Sequence, residues 1–264
     1  MTAILQHDLA YGPAEEQRLD VYSDTAHETA PAVVLVHGGG WFRGDKSKEP
    51  RLATILVEAG FVVFVPDYRL APAHPFPAGR DDILAAAAWA RDSSFAFDRD
   101  RTAFLGGSAG GNLAVEAGIA TGRPSASWSG IFNLASFIEA TDGTVSATPT
   151  TQDLDAMRSA DINQTGRDDA FLRWCILQEV GGDRSLLPRA STVLHATAAT
   201  GPVYLANSLS EFVPVSDPTA MQSALTEAGV ASTLQLIPGT AHAEGYLEHA
   251  IDGTLAFLKQ ATAA

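Results

Sequence analysis

The sequence predicts an α/β architecture, a mainly parallel sheet covered by helices on both faces. Three observations predict it. Short apolar runs rich in β-branched residues alternate with helix-patterned stretches along most of the chain. None of those runs reaches the roughly 18 apolar residues of a membrane span. The length of 264 residues, 46% hydrophobic and 18% charged, suits one core-burying domain over 1–264 with at most a small insertion.

The elements follow in chain order. Ala32 to Val36 is the first continuous apolar run and reads as a strand buried on both faces. Pro50 to Ala59 reads as a helix, opening with a proline suited to the first helical position and stopping at Gly60. Phe61 to Val65 is the next strand, and Asp81-Asp82 precede an alanine-rich helix running through Trp89-Ala90. Thr102 to Leu105 is a strand and Asn112 to Ala120 a helix. From about Asn133 to Arg189 the alternation breaks. That stretch begins polar, from Thr141 to Thr151, then carries a helical pattern with Phe171, Leu172, Trp174 and Ile176, and reads as a cap-like insertion rather than a plain surface connection. Val203 to Ala206, a helix over Pro218 to Ala228 closed by Gly229, and Leu234 to Ile237 complete the pattern.

Composition narrows the partners. Seventeen Lys and Arg against 31 Asp and Glu give a net charge of −14, so a nucleic acid would meet repulsion, and no basic stripe offsets it. Cys175 is the one cysteine, which rules out an intrachain disulfide, so nothing indicates an oxidising compartment. The first residues lack the basic and apolar segments of a secretion signal. The expectation is a cytoplasmic protein without membrane or nucleic-acid partners, acting on a small molecule; a homo-oligomer is left open.

In parallel sheets, chemistry sits beyond the carboxyl ends of the strands. Directly after Thr102 to Leu105 comes Gly106-Gly107-Ser108-Ala109-Gly110. This G-x-S-x-G at a strand-to-helix turn holds its serine in a strained backbone conformation and projects Oγ into a cleft, so Ser108 is the candidate nucleophile. Directly after Ala32 to Val36 comes His37-Gly38-Gly39-Gly40-Trp41. Its glycines can turn their N–H groups toward the cleft and, with that of Ala109, hold the negative oxygen of a tetrahedral intermediate. His37 is read as orienting this loop. No H-E-x-x-H or Cys/His cluster suggests a metal, and no cofactor is implied.

The general base should lie in a late loop. His242 follows the last strand; His7, His27, His74, His195 and His249 fall at edges, turns or helices and read as surface or packing residues. The orienting acid should follow the strand at Val203 to Ala206. Glu211 and Asp217 are both available. Glu211 is closer to the strand end and is preferred, because Asp217 reads equally well as a helix N-cap ahead of Pro218.

These motifs, together with Asp67-Tyr68-Arg69-Leu70-Ala71-Pro72 and Phe76-Pro77-Ala78 followed by Asp81-Asp82, resemble the hormone-sensitive-lipase-like carboxylesterases of the α/β-hydrolase superfamily over nearly the whole chain. The resemblance implies an α/β-hydrolase fold with about eight strands and a small cap at 133–189. It also implies Ser108 as nucleophile, His242 as base, and the N–H groups of Gly39, Gly40 and Ala109 as oxyanion hole. In that family the acid is an aspartate in an Asp-x-x-Val-Pro turn, and here Ser210 occupies the matching position, with Glu211 beside it. The implied activity is hydrolysis of small acyl esters, with Phe132, Phe137, Phe171, Trp174 and Phe212 as candidate walls of an apolar pocket. Formamide hydrolysis of the kynurenine formamidase kind, feruloyl or acetylxylan ester hydrolysis, and a catalytically weakened binding module motivated by Ser210 are the alternatives.

Overall fold

The computed structural model describes residues 4–24, 29–146 and 164–263. Among these, one sheet of eight strands comprises β1 (Ile4–Ala10), β2 (Arg18–Ser23), β3 (Ala32–Val36), β4 (Val62–Pro66), β5 (Thr102–Gly107), β6 (Ser125–Trp128), β7 (Val203–Ser208) and β8 (Ser232–Ile237). The spatial order is β1-β2-β4-β3-β5-β6-β7-β8. β2 pairs antiparallel with β1 and β4, and every other pairing is parallel. The helices are α1 (Pro50–Glu58), α2 (Ala78–Asp92), α3 (Ala109–Thr121), α4 (Leu134–Thr141), α5 (Asp169–Glu179), α6 (Leu187–Ala190), α7 (Ser216–Glu227) and α8 (Leu247–Ala261).

The central strands are apolar throughout because each face meets a helical layer. In β3, Ala32, Val34 and Val36 join one core with Ile83 and Ala86 of α2 and Leu113 of α3, whereas Val33 and Leu35 join the other with Leu52 and Leu56 of α1 and Ala250 of α8. β4 divides in the same way, Val62 and Phe64 against Val63 and Val65.

Three strands carry too weak an apolar signal to be read from the sequence. β1 and β2 are interrupted by His7, Asp8 and Asp20. The buried Asp20 lies 3.1 Å from the His7 ring, accepts the Asp8 amide at 3.0 Å and stands 3.7 Å from Lys46 Nζ, so its charge is compensated locally. β6 reads Ser-Ala-Ser-Trp. Its serines are small because α3 presses on them: a Cβ on Gly111 would stand 2.3 Å from Ser127 Oγ, and one on Gly118 2.6 Å from Ser125 Oγ.

The region expected as a cap contributes α4, α5 and α6 among the described residues, and part of its polar opening falls outside them. The buried side of α5, with Phe171, Leu172, Cys175 and Ile176, packs into the same core as Trp41 and Phe212. Cys175 is a buried thiol, as its apolar neighbours suggest.

Candidate active site

Ser108 occupies the tight turn between β5 and α3, with φ 55° and ψ −124°. That conformation costs a non-glycine residue roughly 1–3 kcal/mol and survives only where its surroundings enforce it. Here the Ser108 amide donates to the Trp128 carbonyl at 2.7 Å, and the Ser108 carbonyl accepts the Asn112 amide at 3.1 Å. The flanking glycines allow the turn to close. A Cβ on Gly110 would stand 2.2 Å from the Val36 carbonyl oxygen, and one on Gly106 2.3 Å from that of Gly110.

The glycine loop after β3 lies against this turn, since a Cβ on Gly38 would come 3.3 Å from that of Ser108. Gly39, Gly40 and Trp41 all have positive φ, at 131°, 60° and 64°. His37 is fully buried, stacks on Tyr68 with ring centroids 4.3 Å apart, and has Nδ1 2.9 Å from the Gly38 carbonyl. Burial pushes its pKa down to about 4, so the ring is neutral and its place is structural, as expected of a loop-orienting residue. The buried Trp41 indole donates to Asn112 Oδ1 at 3.2 Å, tying the loop to the first turn of α3.

Beyond β7 and β8, His242 and Glu211 meet. His242 Nδ1 lies 2.5 Å from Glu211 Oε2, and both side chains are buried. The other carboxylate oxygen, Oε1, accepts the Ser208 amide at 2.6 Å and lies 2.9 Å from the Ser129 hydroxyl. Among the described residues, His242 Nε2 has no hydrogen-bond partner. It and Ser108 line the same cavity of about 300 Å³. Asp217 stands elsewhere, where its carboxylate accepts the amides of Phe132 at 2.7 Å and Asn133 at 3.2 Å. It lies inside the first turn of α7 rather than at its N-cap, because the helix starts at Ser216. Ser210 is exposed and bonds through its amide to the Gly239 carbonyl.

The chain that carries this arrangement, with a serine at a strand-to-helix elbow, a glycine loop beside it and a histidine–carboxylate pair from the last two strand ends, has known relatives. A profile of the α/β-hydrolase fold family matches residues 33–245. The chain belongs to that family. Carboxylesterase NlhH of Mycobacterium tuberculosis is 34% identical over 238 residues, covering 85% of this chain and 69% of the relative. An esterase of Pyrobaculum calidifontis superposes with a TM-score of 0.72 at 25% identity, over 94% of this chain and 81% of that one. A truncated carbohydrate esterase from gut microbiota superposes with a TM-score of 0.80 over 99% of this chain and 97% of that one; at 15% identity it shows the shared fold alone.

In this α/β hydrolase the cavity wall is mostly apolar in surface but is not built from the residues expected. Gly38, Gly39, Ser108, Leu52, Gly245 and Leu247 line it, but so do Lys48, Glu49, Arg51 and Glu244. None of the five aromatic residues expected as walls lines it. Phe132 packs with Val203 and Leu205. Phe42, Phe171 and Trp174 cluster with one another. Phe212 sets its edge against the His242 ring, centroids 5.4 Å apart, and so braces the histidine instead of facing the cavity.

Sequence reading also missed the residues that hold His242 in place. Gln164 accepts the His242 amide at 2.8 Å and donates to its carbonyl at 3.0 Å, a two-point clamp from the region before α5. The Ser129 hydroxyl accepts the Ala243 amide at 2.9 Å and lies 2.7 Å from the Tyr246 hydroxyl, which donates to the Ala206 carbonyl. Nothing local in the sequence marks these positions, whose partners are 40 to 117 residues away.

Proposed function

We propose that this carboxylic ester hydrolase works as a serine esterase on short-chain acyl esters, with Ser108, His242 and Glu211 as its catalytic residues. The observation that carries the reading is the 2.5 Å contact between His242 Nδ1 and Glu211, which leaves Nε2 free beside Ser108 in one cavity. Glu211 fixes the imidazole tautomer so that Nε2 accepts the Ser108 proton. Ser108 Oγ then bonds to the ester carbonyl carbon, and the oxygen that takes up the electron pair is held by the N–H groups of Gly39, Gly40 and Ala109. The intermediate collapses by breaking the bond to the alcohol oxygen, which leaves with the proton from His242. Water attacks the resulting acyl-enzyme, His242 takes its proton, and the acid departs as that proton returns to Ser108. A cavity of about 300 Å³ is at the small end for ligand sites and favours short acyl groups.

The Glu211 contact also weighs against a weakened binding module, whose motive was the serine at position 210. The test is hydrolysis of p-nitrophenyl acetate, butyrate and octanoate, with Ser108→Ala as background. Turnover that declines with chain length is expected. Activity equal to that of Ser108→Ala would overturn the reading. Faster turnover of N-formylkynurenine than of the aryl esters would replace it with formamide hydrolysis.

A further inference from the structure

The catalytic cavity presents more polar chemistry than ester cleavage itself requires. Of its four charged lining residues, Arg51 is engaged by Glu248 at 2.5 Å. Among the described residues, the side chains of Lys48, Glu49 and Glu244 make no hydrogen bond and no ion pair within 4 Å. Glu49 is nevertheless only 3% exposed. Glu244 leans over the nucleophile turn, where a Cβ on Gly107 would stand 2.8 Å from its Oε1. Two carboxyl groups and an ammonium therefore converge on the cavity that holds Ser108 and His242, within electrostatic reach of one another and, for Lys48, of Asp45, but not hydrogen-bonded to any of the described residues.

Their position relative to the reaction says which part of the substrate they meet. The leaving oxygen takes its proton from His242, so the alcohol part lies on the histidine side of the cleft. Glu244 follows His242 by two residues, and Glu49 and Lys48 interact electrostatically with Glu244 across the cavity. An apolar alcohol seated there would strip these groups of water and return nothing, at a cost of about tenfold or more in affinity for each group left unmet. Hydroxyl groups would satisfy all three, donating to the carboxylates and accepting from the ammonium.

Resting on the esterase reading above, we infer that the enzyme selects esters whose alcohol part is a small neutral polyol, of glycerol to monosaccharide size, held by Glu49, Glu244 and Lys48. Neutral rather than cationic alcohols fit the charge balance. Burial and the neighbouring Glu244 carboxylate hold Glu49 well above the usual carboxylate range, and a cationic alcohol would meet the side chains of both Lys48 and Arg51, which line the same cavity.

The test compares kcat/KM for glycerol monoacetate, butyl acetate and acetylcholine, which share an acyl group, in wild type, Glu49→Leu and Glu244→Leu, with folding of each variant followed by thermal melts. Glycerol monoacetate should exceed butyl acetate by about tenfold or more. Glycerol is a somewhat better leaving group, so the deciding quantity is how that ratio changes: it should fall about tenfold in each folded variant. Equal turnover of the two neutral esters in wild type, which needs no variant, would overturn the inference. So would a ratio that both variants leave unchanged, or a preference for acetylcholine. No acetate turned over above the Ser108→Ala background would overturn the esterase reading itself, and the polyol inference with it.

Discussion

The two sides of the candidate site are built by different means. On one side, Ser108 and the loop from His37 to Trp41 are shaped by backbone: glycines without room for a Cβ, four residues with positive φ, and amide-to-carbonyl bonds between adjoining strand ends. On the other, His242 and Glu211 are shaped by side chains from distant parts of the chain, among them Gln164, Ser129, Ser208, Phe212 and Tyr246. A backbone-built half tolerates little change at its glycines but depends on few partners. The side-chain-built half distributes its dependence over a buried hydrogen-bond network, whose members are coupled and costly to leave half satisfied. Substitutions can therefore be sorted by the half they touch.

The largest effect is expected in the side-chain half. Glu211→Gln keeps the shape but offers His242 an amide, which cannot stabilise the imidazolium that forms as Ser108 loses its proton. A fall in kcat of about 10⁴ is expected, with KM far less affected. Steady-state kinetics on p-nitrophenyl butyrate measures it. A Glu211→Gln enzyme as active as wild type would remove Glu211 from the mechanism and reopen the choice of acid.

The same contrast explains what could be read from the sequence. The elbow and the glycine loop are local: a run of β-branched residues, then glycines at fixed spacing, then a helix pattern, so Ser108 and its neighbours stand out within about ten positions. His242 stands out because it follows the last strand. The pairing of Glu211 with His242 is a contact across 31 residues, and its competitor Asp217 lies only six positions further on. Local pattern cannot separate the two; a Phe132 amide that needs an acceptor does. The expected aromatic wall failed for a related reason. Aromatic residues between strands announce burial, but whether they bury against a cavity or against one another depends on the packing of α5, where Phe171 and Trp174 stack together. In the fold, the strands buried on both faces were legible, whereas β6, reduced to serines by the close approach of α3, was not.

An intermediate effect is expected where the two halves are joined to the rest of the molecule. Asn112 accepts the Trp41 indole through Oδ1 and donates to Thr192 Oγ1 at 2.6 Å. Asn112→Ala unfastens the glycine loop from the helix that carries Ser108. A fall in kcat of about 10- to 100-fold with little change in KM is expected, because a loop displaced by a fraction of an ångström no longer meets the developing oxyanion. Asn112→Asp keeps the acceptor for Trp41 and should recover part of the loss. Unchanged kcat in Asn112→Ala would mean that the loop holds itself.

The smallest effect on catalysis is expected at Asp217, where the consequence is one of stability. Burial raises its carboxyl to about 7, against the lowering effect of the Phe132 and Asn133 amides. An aspartate in the unfolded chain titrates near 3.9. Between those values the folded protein holds a proton that the unfolded chain has released, so this residue makes wild-type stability fall as pH rises from about 4 to about 7, and contributes no further slope above that. Asp217→Asn abolishes the titration while keeping one acceptor for the two amides. The variant should therefore melt below wild type at pH 5, with the gap narrowing or reversing at pH 8, and with kcat close to that of wild type at both. A gap independent of pH would mean that Asp217 does not change its charge on folding in this range. A loss of kcat comparable to that of Glu211→Gln would mean instead that the acid beyond β7 had been assigned to the wrong residue.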